Sequence, residues 1–91
     1  MIRKQASDTM VTVEFVLPGN LEHTPISVVG NFNDWQPYRN PMISRPDGSL
    51  STSVVCPPGT VLRFRYLGNN GVWFDEHDAD WIDGDGSVLV V

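Results

Sequence analysis

The sequence predicts an all-β fold, an immunoglobulin-like antiparallel β-sandwich of about seven strands. Three observations carry this expectation. Apolar residues recur with a period of two, helical periodicity is absent, and turn-forming residues return roughly every 8–12 positions. The chain has 91 residues, the length of one domain with a modest core.

Residues 1–9, MIRKQASDT, carry charge without an apolar stripe and read as a flexible N-terminal arm. That leaves 10–91 as a single sandwich domain. MVTVEFVL (Met10 to Leu17) alternates, placing Val11, Val13, Phe15 and Leu17 on one face. ISVVG (Ile26 to Gly30) is a shorter strand. SLSTSVVC sets Leu50, Thr52, Val54 and Cys56 against serines, and VLRFRYL sets Leu62, Phe64 and Tyr66 against Arg63 and Arg65. VWF (Val72 to Phe74) and SVLVV (Ser87 to Val91) complete the set. Between them stand the turn signals LPGN, RPDGS, CPPGT, GNNG and DGDGS. GNNG between two strand patterns is a hairpin, because Asn and Gly tolerate positive φ.

Charge and cysteine usage narrow the partners. Six Lys and Arg stand against eleven Asp and Glu, for a net charge of −5. Such a chain repels a phosphate backbone or an anionic bilayer, so neither nucleic acid nor a membrane surface is expected. The N-terminus lacks the apolar segment of a signal peptide, and no apolar run is long enough to span a bilayer. One cysteine, Cys56, excludes an internal disulfide and fits a reducing compartment. The expected location is cytoplasmic.

The three tryptophans need an explanation. Trp35 follows the turn NFND, Trp73 follows GNNGV, and Trp81 lies in the acidic stretch DEHDADWIDGDG. None sits centrally in an apolar strand. Around them, Asn31, Asn33, Asn69, Asn70, Arg63 and Arg65 offer amide and guanidinium groups able to bond neighbouring hydroxyls. A flat indole beside such groups suits a pyranose ring, whose axial C–H face stacks while its rim hydroxyls take hydrogen bonds. No deep pocket is needed. Alternation points Arg65 outward if Phe64 and Tyr66 face the core, and Trp73 returns on the neighbouring strand.

The segments VVGNFNDWQP, RPDGS, CPPGTVLRFRYLGNNGVWF and SVLVV together resemble a family-48 carbohydrate-binding module. That family includes the glycogen-binding domain of the AMP-activated protein kinase β subunit and the N-terminal sandwich domains of isoamylases and branching enzymes. The resemblance covers residues 10–91 and implies an α-1,4-glucan site, for oligosaccharide or glycogen, on one face of the sandwich. It implies Trp35, Arg65, Trp73 and Ser87 as carbohydrate-binding residues; Asn33, Arg63, Asn70 and Trp81 are secondary candidates offered by the residues themselves rather than by the resemblance. Arg65 stands where glycogen binders commonly have lysine, and Ser87 where some have asparagine. The hairpin LGNNGVW is longer than the family's usual form, and the loop after it is richer in acid.

Other chemistry fits less well. Taking Asp78 and Asp80 as the first ligands of an EF-hand loop puts Ile82 at the third position, which breaks the pattern. A glycosidase needs two carboxyls across a groove, and a solvated acidic loop on a small sandwich supplies none. His23 and His77 stand beside no nucleophile motif, and Cys56 alternates with Val54 as a small core residue. The expectation is a non-catalytic module with no cofactor and no metal. Its rival is a protein-interaction or regulatory module of the same fold, docking on a glycogen-metabolising enzyme or a kinase-type partner without binding sugar.

Overall fold

The computed structural model describes the chain except Glu22, His23 and Asn70; two residues named above, His23 and Asn70, therefore lie outside the described residues. Among the described residues, nine strands form two antiparallel sheets: β1 (Ile2–Ser7), β2 (Met10–Leu17), β3 (Ile26–Gly30), β4 (Ile43–Ser44), β5 (Leu50–Cys56), β6 (Val61–Gly68), β7 (Trp73–Phe74), β8 (Trp81–Asp83) and β9 (Gly86–Val90). One sheet runs β1-β2-β5-β4. The other runs β3-β6-β9-β8, with β7 also paired to β6. The only helical turn among the described residues is a 3₁₀ turn at Asn31–Asn33. The architecture is a β-sandwich.

Period-two alternation builds the core. Val11, Val13, Phe15 and Leu17 of β2 meet Leu62, Phe64 and Tyr66 of β6 in one buried cluster with Val28, Leu50, Cys56 and Leu89. Phe15 and Phe64 pack edge to face at 4.9 Å between ring centroids, and Phe64 does the same with Tyr66 at 5.9 Å.

The N-terminal segment corrects the expectation of a loose arm. Ile2–Ser7 pairs with β2 from Ile2 opposite Phe15 to Ser7 opposite Met10. Five of its six residues are exposed, so no apolar stripe announces it; its ladder satisfies the otherwise open edge of β2. Asp8, at φ 50°, turns the chain in a two-residue link of the kind Asp tolerates. The acidic stretch after Trp73 is also more ordered than a solvated loop, because β8 pairs Trp81 with Val88 and Asp83 with Gly86.

Two strands share one edge of β6. Its first half pairs with β9, from Val61 opposite Val90 to Phe64 opposite Ser87. Its second half pairs with β7, setting Tyr66 against Phe74 and Leu67 against Trp73. The opposite edge of β6 pairs with β3. This arrangement governs what the outer face of the five-stranded sheet presents.

Candidate functional site

Because Leu62, Phe64 and Tyr66 face the core, Arg63, Arg65 and Leu67 line the outer face of the same strand. Cross-strand partners share a face. Leu67 therefore brings Trp73 to the outer face, and Arg63 brings Val88, which in turn brings Trp81. Val29, opposite Arg65, joins them. Val29 and Val88 are fully buried yet lie outside the core cluster, so the long side chains of this face cover them. The stems of Arg63 and Arg65 and the Trp81 ring are their cross-strand neighbours.

The far rim is the loop after the 3₁₀ turn. It runs back along the free edge of β3, where Asn40 accepts from Val28 N–H and Ile26 accepts from Met42 N–H. Trp35 opens this loop with φ 58°, directly after Asp34 at φ 57°. The left-handed region is unusual for so bulky a residue and costs about 1–2 kcal/mol. Its N–H bonds Gly30 O at 2.9 Å, which helps hold it there. Further along, Pro37 and Tyr38 border a cleft of about 190 Å³ with Pro25, Ser27, Leu67 and Asn69.

All three indoles reach solvent: Trp35 is 41 % exposed, Trp73 48 % and Trp81 49 %. Tyr38, passed over by the sequence reading, is 90 % exposed. Its signal was a second aromatic beside a proline, three residues beyond Trp35.

The guanidinium groups between the rings are neutralised by the protein itself. Arg63 Nη1 donates to Asp83 Oδ2 at 3.0 Å. The backbone N–H of Asp85 and then the Arg63 guanidinium hold the Asp83 carboxyl below its ordinary range. Arg65 Nη2 donates to Gly84 O at 2.8 Å, and its Nε stands 3.7 Å from Asp75 Oδ1. Arg65 crosses Gly86, where a Cβ would sit 3.1 Å from Arg65 Cγ and 2.8 Å from Phe64 O. With φ at 121°, that position requires glycine.

Two of the candidate binding residues are structural. Asn33 is only 3 % exposed. Its Oδ1 accepts from Gly30 N–H at 3.0 Å, and its Nδ2 donates to Val28 O at 3.0 Å and Asn40 Oδ1 at 2.8 Å. It closes the turn that carries Trp35. Ser87 is fully buried, because its register opposite Phe64 turns it toward the core. Its Oγ accepts from Glu76 N–H and donates to Asp75 Oδ1, each at 2.9 Å. Neither side chain is free to meet a surface ligand.

The surface that remains joins Trp73, Trp81, Arg63 and Arg65 by strand register, with the loop bearing Trp35 and Tyr38 along the other rim. Among the described residues, no group of three His, Cys, Asp or Glu side chains converges where a cation can sit. No described helix is long and apolar enough to cross a membrane. No protein-family model matches the chain, and no curated protein matches it.

Proposed function

We propose that the protein is a non-catalytic binding module for α-1,4-glucans, an oligosaccharide or glycogen, resting on Trp35, Trp73 and Arg65. One observation carries the reading: half-exposed indoles border a polar floor whose charges are already paired. Paired guanidinium and carboxylate groups exert little net pull on an anion, yet keep N–H donors at the surface. That chemistry suits a neutral polyhydroxylated ligand with apolar ring faces. The buried lone cysteine accords with a cytoplasmic setting, which belongs to the same proposal.

Each ring has about 150–250 Å² to bury, of which a sugar covers a third to a half, worth roughly 1–3 kcal/mol at about 25 cal/mol per Å². After the cost of association, two rings and a few exposed hydrogen bonds leave about −4 to −6 kcal/mol. The expected dissociation constant for maltoheptaose lies between about a millimolar and tens of micromolar. Isothermal titration calorimetry measures it directly. Trp35→Ala and Trp73→Ala are each expected to weaken binding about tenfold or more. A protein that stays inert to millimolar maltoheptaose, by heat and by amide NMR shifts, ends the proposal.

Tyr38 supports a second reading. An almost fully exposed tyrosine beside a proline-lined cleft is the kind of anchor protein interfaces favour. A blank titration with sugar would leave this docking module, on an enzyme or kinase-type partner, as the function.

A further inference from the structure

We infer that Trp81 is a further, remote platform on the same face as Trp73, so that affinity depends on glucan length. The inference rests on the glucan reading above and adds the size of ligand the face selects. Strand pairing supplies the geometry. Trp73 stands opposite Leu67, one strand from β6, whereas Trp81 stands opposite Val88, which stands opposite Arg63, two strands from β6 on the same side. Leu67 and Arg63 are four residues apart, or ~13 Å along the strand, and the one-strand offset adds ~5 Å sideways. The Cα positions of the two tryptophans are therefore ~14 Å apart, far more than one sugar ring covers.

By register, Arg65 and Arg63 stand on the stretch of sheet between them. Gly86 leaves the sheet low where Arg65 crosses it. The Arg65 guanidinium reaches Gly84 O at 2.8 Å, and Arg63 reaches Asp83 Oδ2 at 3.0 Å. Among the described residues, each arginine donates one hydrogen bond, which leaves further N–H groups of its guanidinium for ring hydroxyls. Trp81 is as exposed as Trp73, although its own stretch of sequence is strongly acidic. A short oligosaccharide on Trp73 does not reach it; a long one crosses the arginine pair and does.

The test compares maltotriose with maltoheptaose on the wild-type chain and on Trp81→Ala, by calorimetry and by the indole N–H signals in NMR. Trp81→Ala is expected to cut maltoheptaose affinity about tenfold while maltotriose affinity stays within about twofold. In the wild type, the Trp81 indole signal shifts with maltoheptaose and stays put with maltotriose. That second readout needs no variant, so it holds even if Trp81→Ala disturbs β8. A Trp81 signal unmoved by maltoheptaose that does bind, or equal losses for both sugars, overturns this inference alone. Failure of the wild type to bind either sugar defeats the glucan reading, and this inference with it.

Discussion

Asn33 and Trp35 stand two positions apart in one turn, and substitutions at them have opposite consequences. Asn33→Ala strands Gly30 N–H and Val28 O in a buried turn. An unmet buried group costs about 1–3 kcal/mol, so a loss of about 2–4 kcal/mol is expected in chemical denaturation. Trp35→Gly removes a half-exposed ring and relieves the left-handed backbone together. Its stability is expected to stay within about 1 kcal/mol of the parent while sugar affinity falls. Should Trp35→Gly unfold the chain as Asn33→Ala weakens it, the ring is a core element and no platform. Sequence alone separated these residues poorly. An asparagine and a tryptophan beside a turn both look available, and only the hydrogen bonds back to β3 show that the amide is spent. Ser87 misled for a related reason: which way a serine points depends on strand register, and its register was set by Phe64 opposite it.

At the scale of elements, legibility followed the source of each strand's stability. β2, β5 and β6 bury one face, so their apolar residues alternate and the sequence displays them. β1, β4 and β8 are held mainly by backbone pairing to a neighbour, which leaves little mark on side-chain type. β1 provides the test. Deleting residues 1–8 removes the Ile2 to Ser7 ladder and the partly buried Ile2 that packs on the core. It also opens the long edge of β2 to other chains. A loss of at least about 1 kcal/mol is expected, lowering the thermal midpoint by about 4–8 °C, with light scattering rising on heating. An unchanged midpoint would restore the segment to a dispensable arm.

The whole molecule is tied across its layers by one buried acid. Glu76 Oε1 accepts from Tyr66 Oη at 2.6 Å and from the Met1 amine at 2.8 Å, and its Oε2 accepts from Asp78 N–H at 2.8 Å. Burial pushes the Glu76 carboxyl up, but the hydrogen bonds from the amine, Tyr66 and Asp78 outweigh it and leave the group below its ordinary 4.5. Burial first, then the Glu76 carboxylate, drives the Tyr66 phenol well above its ordinary 10.0. A depressed acid stabilises the fold above its unfolded value and loses that contribution as pH falls through the folded one. A raised phenol stabilises the fold below its unfolded value and loses that contribution as pH climbs past it. Thermal midpoints are therefore expected to fall below pH 4.5 and above pH 10.0. Glu76→Gln should flatten the acid limb and Tyr66→Phe the alkaline one. Limbs unaltered by both changes would mean that other groups set the pH range.

Placing every indole at the surface has an optical consequence. Folding moves none of these rings fully out of water, while the residues it does hide, Phe15, Phe64 and Tyr66, contribute little to emission above the tryptophan signal. Unfolding is therefore expected to move the chain's tryptophan emission only modestly, and circular dichroism is the fuller measure of that transition. The same arrangement makes the glow a selective reporter. A change in its colour in the folded protein is the expected sign of something arriving at the outer face.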